Sequence, residues 1–221
     1  MIDLVADTPL LQVIQVVTDP PWYENCFLLR HKASRTTIAI DPGSNADLIQ
    51  AAAAEYDCVL TEIWLTHGHP DHVGAVRPLQ DALDLPCRAH RDELPLLKIV
   101  TEYGRRRLGL EVESPRDIQP LDESSALLLA DLPVQIIATP GHTPGGVVFA
   151  VGGQAFTGDT LFNQGIGRTD LPGGNGRQLA ESLTKLAAAL PPDTQIHCGH
   201  GPAWTIGAAR PWLQQILRWG V

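Results

Sequence analysis

The chain has 221 residues, 44% of them hydrophobic and 19% charged, with a formal net charge of −9. That length and balance allow a sizeable buried core and exclude a chain dominated by disorder. The acidic excess argues against a nucleic-acid partner, because phosphate recognition needs clustered Lys and Arg. No stretch approaches the roughly 20 apolar residues that cross a bilayer.

In chain order, Met1–Asp7 carries acids and no basic run, unlike a secretory leader. Strands are expected at Leu11–Val17, Asn25–Arg30 and Thr36–Ile40, with Asp41-Pro42-Gly43 as the closing turn. Asn45–Glu55, with its four consecutive alanines, has helical composition, and Val59–Thr66 reads as a buried strand. His72–Leu83 is expected to be a helix that Pro78 bends or shortens, and Arg91–Leu108 a second helical stretch. The one basic run, Arg105-Arg106-Arg107, falls there and reads as a solvated helix face. Further strands are expected at Ala126–Leu129 and Val134–Ala138. Val147–Val151 and Gln154–Phe156 form a hairpin around Gly152-Gly153. Leu179, Leu183, Leu186 and Leu190 recur at helical spacing, Gln195–Cys198 is a short strand, and Ala208–Trp219 a last helix. Gly and Pro sit between these segments, without repeats or linkers. The expectation is therefore one domain over residues 1–221, with two layers of sheet and helices outside.

The four cysteines, Cys26, Cys58, Cys87 and Cys198, form no CxxC pair. They read as reduced thiols of a cytoplasmic protein, mostly filling core or strand ends.

The histidines carry more information. His67, His69, Asp71 and His72 fall within six residues at the end of a strand, where Gly68 and Pro70 suit a loop. Side chains in such a loop can converge on one point, and neutral imidazole with carboxylate is what divalent zinc, iron or manganese takes as ligands. Three more candidates follow apolar strands beside glycine: His142 in Thr139–Gly146, Asp159 in Thr157–Thr160, and His200 in Gly199–Pro202. His31, His90 and His197 lie outside any motif and read as ordinary surface or core histidines.

This set resembles the metallo-β-lactamase-fold superfamily. Thr66–His72 matches its THxHxDH motif, and His142, Asp159 and His200 match its later single-residue motifs in order. Within it, Gly158–Phe162, Gly167–Gly174 and Gly199–Pro202 are similar to the glyoxalase II-like (hydroxyacylglutathione hydrolase) group. The resemblance implies an α/β fold, an αββα sandwich of two mixed β-sheets flanked by helices. It also implies two metal ions, zinc foremost with iron or manganese as substitutes. His67, His69 and His142 would hold the first, Asp71, His72 and His200 the second, and Asp159 would bridge them. Only 21 residues follow His200, so the likeness is to the shorter bacterial members without the added helical domain that helps bind glutathione.

The chemistry implied is attack on a carbonyl carbon by a metal-activated hydroxide, with Asp71 and Asp159 orienting it as catalytic residues. A thiolate, with a parent pKa of about 8.5, leaves without prior protonation, so a small-molecule thioester is the expected substrate. Arg168 and Thr169 are candidate contacts to a substrate carboxylate, and Asp170 is the alternative partner for Arg168. Two other activities of this fold remain open at this point: a mononuclear-iron persulfide dioxygenase, and a lactone or β-lactam hydrolase.

Overall fold

Apolar side chains on both faces of consecutive strands build the first sheet. It runs β1 (Ile2–Asp7), β2 (Leu11–Val17), β3 (Asn25–His31), β4 (Thr36–Ile40), β5 (Val59–Trp64), β6 (Cys87–His90) and β7 (Ile118–Leu121), in sequence order. The first four are antiparallel neighbours; β4 to β7 are parallel. The second sheet has the order β15-β14-β11-β10-β9-β8, from β8 (Leu127–Leu129), β9 (Leu132–Ala138), β10 (Val147–Val151), β11 (Gln154–Gly158), β14 (Gln195–Cys198) and β15 (Trp204–Thr205). A small hairpin of β12 (Leu161–Phe162) and β13 (Gly165–Ile166) follows β11. The computed structural model describes residues 1–219, so the last two positions of the expected 1–221 domain lie outside it.

Period-two alternation assigns the layers. Leu11, Val13, Phe27, Leu29, Ile38, Ile40 and Trp64 face the second sheet, where they meet Ile136, Val147, Phe149, Val151 and Phe156. The residues between them, Ile14, Val16, Cys26, Leu28, Ala39 and Ile63, pack outward on helices α1 (Ala46–Glu55) and α3 (Val76–Leu83). On the far side, Val148, Ala150, Ala155 and Ile196 pack against α6 (Gly176–Ala189) and α7 (Ile206–Trp219). The result is two mixed sheets sandwiched between helices, as expected. No helix among the described residues is long and apolar enough to cross a membrane.

The departures from expectation have local causes. β1 shows no alternation because it is an edge strand with mostly exposed residues. The expected helix His72–Leu83 is two helices, α2 (Pro70–Val73) and α3. Gly74 lies at the break, where a Cβ would sit 2.2 Å from the Gly43 carbonyl oxygen, and the Ala75 N–H is spent on Pro42 O at 2.9 Å. Pro78 neither bends nor shortens α3, because it occupies the first turn, where a backbone N–H has no intrahelical partner. The stretch Arg91–Leu108 is likewise broken. A 3₁₀ turn (Arg91–Glu93), α4 (Leu94–Lys98), α5 (Val100–Tyr103) and a wide turn (Gly104–Leu108) follow one another. The strand expected to reach Thr66 ends at Trp64, which frees Thr66 for the site.

Candidate metal centre

Topology collects the candidate ligands. β4 and β5 are parallel, so Asp41 and the Thr66–His72 loop leave the same edge of the first sheet. β11 and β14 are parallel, which puts Asp159 and His200 at one edge of the second. β9 and β11 both run antiparallel to β10, so the loop bearing His142 joins them there. The two edges are stitched together: the Val147 N–H donates to Thr66 O at 2.9 Å and the Asn25 N–H to Gly199 O at 2.8 Å.

All seven predicted residues come together there, six of them in two sets with Asp159 between. Ligating atoms of His67, His69 and His142 lie within 4.8 Å of one another, and so do those of Asp71, His72 and His200. His69 Nδ1 and His142 Nε2 are 2.9 Å apart. Asp71 Oδ2 is 3.4 Å from His200 Nε2 and 3.9 Å from His72 Nε2. Asp159 stands between the sets. Its Oδ2 is 3.6 Å from His142 Nε2, while its Oδ1 is 3.2 Å from His72 Nε2 and 3.7 Å from His200 Nε2.

The outer hydrogen bonds select which ring nitrogen faces inward. His72 Nδ1 donates to Asp41 Oδ2 at 3.1 Å, and His67 Nδ1 to Thr66 Oγ1 at 3.1 Å; that hydroxyl in turn donates to Asp41 Oδ2. His142 Nδ1 donates to Arg168 O at 2.7 Å and His200 Nδ1 to Trp22 O at 3.1 Å. In all four rings Nε2 is left as a lone-pair donor toward the centre. Asp41 also lies near His67 and His72, but its oxygens are spent on Thr66 and His72, so it orients rather than ligates. Glu93 is a second brace. It is fully buried, with Oε2 accepting the Gly68 N–H at 2.7 Å and Oε1 the Gly145 N–H at 2.6 Å, so one carboxylate ties the His67/His69 loop to the His142 loop.

Several polar atoms in this arrangement lack a partner. His67 Nε2, His72 Nε2 and Asp159 Oδ1 are buried with no hydrogen bond. Such atoms cost free energy unless something completes them. Burial pushes the His67 imidazole well down and His69 to about 3, so both are neutral donors. Against the pull of burial, Asp159, Asp41 and Asp71 push His72 well up, and His72, His67 and His142 hold Asp159 well down. The field of these carboxylates thus favours positive charge between them. Neutral imidazoles and ionised carboxylates aimed inward, with orphaned lone pairs, fit two divalent cations.

A cleft of about 250 Å³ opens onto this centre, walled by Trp22, Tyr103, Arg168 and Leu171. Arg168 Nε and Nη2 both bond Asp170, at 2.7 Å each, and the guanidinium still lines the cleft. Thr169 does not line it; its backbone packs on Gly174. Sequence reading did not single out Asp41, Glu93, Tyr103 or Trp22. Asp41 follows a strand, as the other candidates do, and that position was the available signal; Asp-Pro-Gly masked it as a turn. Glu93 carries no local signal.

Solved structures and curated relatives are similar to this chain. TTHA1623, crystallised in a di-iron-bound form, superposes with a TM-score of 0.81 at 38% identity, over 89% of this chain and 96% of that one. BLEG-1, a B3 metallo-β-lactamase, gives 0.80 at 29% identity, over 89% and 95%. The probable metallo-hydrolase YqgX of Bacillus subtilis is 33% identical over 168 residues, which is 75% of this chain and 80% of that protein. Residues 19–200 match the family described as the metallo-beta-lactamase superfamily, and the chain belongs to that superfamily.

Proposed function

We propose that the protein is a thioester hydrolase of the hydroxyacyl-thiol kind, acting on a small molecule in the cytoplasm with two divalent ions, zinc foremost and iron or manganese as substitutes. The observation that carries the reading is Asp159, whose two oxygens face two different ligand sets, Oδ2 toward His142 and Oδ1 toward His72 and His200. His67, His69 and His142 would hold one ion, Asp71, His72 and His200 the other, and Asp159 both. When bound, such a pair supplies hydroxide near neutral pH and a Lewis-acid field for the developing oxyanion.

The protein's own contribution is position. Asp71 and Asp159 would accept hydrogen bonds from the attacking oxygen and aim its lone pair at the carbonyl carbon. Asp41 and the carbonyls of Trp22 and Arg168 keep the imidazoles from turning, and Glu93 ties together the loops that carry them. Trp22 and Leu171 give the cleft apolar walls that limit water. A thiolate leaving group departs without a proton, so this reaction needs no separate general acid. The four cysteines are all free thiols, which supports the cytoplasmic placement.

The test offers metal-loaded protein matched thioester, lactone and β-lactam substrates. Thioester turnover should exceed the others, and Asp159→Ala should lose metal and turnover together. Faster lactone or β-lactam hydrolysis, to which the likeness to BLEG-1 gives weight, would overturn the thioester reading. Oxygen uptake on a persulfide by a one-iron protein would replace hydrolysis with dioxygenase chemistry.

A further inference from the structure

Arg105, Arg106 and Arg107 are all exposed, as expected of a solvated face, but they differ in their partners. Arg105 bonds Glu111 through Nε and Nη2, at distances from 2.9 to 3.3 Å, and Arg106 pairs with Glu102 at 2.7 Å. Arg107 forms no hydrogen bond or ion pair among the described residues. It lies four positions after Tyr103, on the wide turn that continues α5, so the two sit on one side of that segment.

Tyr103 itself is unusual. It is 8% exposed, its ring stacks on His69 at 6.0 Å with an interplanar angle of 11°, and it walls the metal cleft. Its hydroxyl is buried without a partner. A buried phenol ordinarily finds one, and an orphan in a cleft wall is a place where a ligand completes the bonding. Arg168 has given two of its five donors to Asp170 and keeps three. Arg168 thus lines the cleft together with an unfilled hydroxyl donor, and Arg107 follows one turn along the segment that carries it, on a protein whose net charge is −9.

We propose that Tyr103 and Arg107, with Arg168 opposite, form a carboxylate-binding wall, and that the substrate is an anionic thioester whose carboxylate docks there while its carbonyl reaches the metal centre. This rests on the thioesterase reading above and adds the charge class of the substrate. The hydroxyl supplies one directed hydrogen bond and the guanidiniums supply charge, the combination that separates an acid from its neutral analogue.

Three thioesters test it. S-acetyl-N-acetylcysteamine carries no carboxylate, S-succinyl-N-acetylcysteamine carries one on the acyl side, and S-acetylglutathione carries carboxylates on the thiol side. Wild-type kcat/KM should favour one of the two charged esters over the uncharged one, and which one identifies the side that docks. Arg107→Gln and Tyr103→Phe should each lower that preference about tenfold, mainly through KM, with thermal unfolding midpoints close to wild type. A preference unchanged in both variants, or none in the wild type, overturns the proposal. If no thioester turns over, the reaction reading fails on its own. The wall is then judged by titrating succinate and succinamide into metal-loaded protein. Succinate binding that weakens in Arg107→Gln supports it; equal affinity for the two probes, or equal affinity in the variant, overturns it.

Discussion

Replacing Glu93 by Gln removes one charge and keeps the shape. In the native protein its two oxygens each take one backbone N–H, from Gly68 at 2.7 Å and Gly145 at 2.6 Å, and the residue is fully buried. A glutamine can accept one of these bonds, but its amide nitrogen must face the other N–H. One hydrogen bond to a charged group, about 1.5–3 kcal/mol, is lost and a buried donor is orphaned. The two glycines lie in the loops that carry His67 and His69 on one side and His142 on the other, so the loss falls on the spacing of the first ligand set. Converted at 1.4 kcal/mol per tenfold, metal affinity should drop about 10- to 100-fold, the range expected when outer support of a ligand is removed. Chelator competition against metal-loaded wild type and variant reads this directly, and unfolding of the metal-free proteins separates it from a general loss of stability. Metal affinity within twofold of wild type would refute the argument that this carboxylate sets the ligand spacing.

Gly199→Ala should impair the site sterically, because a Cβ there would lie 2.3 Å from Asp159 Oδ1 and 2.5 Å from His72 Cε1; metal titration should show a weakened second site, and unchanged stoichiometry and affinity would count against the assignment. His197, 2% exposed and bonded through Nε2 to Gln154 at 2.8 Å, has its pKa pushed down by burial to about 4. Unfolded, it takes up a proton near its ordinary 6.5; between the two values the unfolded chain holds the extra proton, so its contribution is full above pH 6.5 and is lost as pH falls toward 4. In urea titrations the stability difference between wild type and His197→Gln should therefore shift against the wild type by roughly 2–3 kcal/mol from pH 7 to pH 4, and a pH-independent difference would be the contrary result.

How much could be read in advance follows from where each signal lies. The ligands were legible because they are chemically rare, close in sequence or flanked by glycine, and each follows an apolar strand. The central strands were legible because both faces are buried and the apolar runs are continuous, as in Val147–Val151. β1 was not, since an edge strand need not alternate, and β6 and β7 were too short, at four residues each, to show a period. The break at Gly74 depends on Gly43, 31 positions away in the chain, and no local pattern reports such an approach. Glu93 and Tyr103 belong to the same class: their roles arise from what the fold places opposite them. The exposure of the basic run was legible, but sequence does not reveal that Glu102 and Glu111 pair with two of its three arginines.

The central claim is that the His67–His72 loop, His142, Asp159 and His200 form one centre for two metal ions. Elemental analysis of metal per chain, on protein purified without added metal, tests it most directly. The account predicts about two equivalents of zinc, iron or manganese per chain, falling together in Asp159→Ala; a single iron per chain, or two equivalents retained by Asp159→Ala, would contradict it.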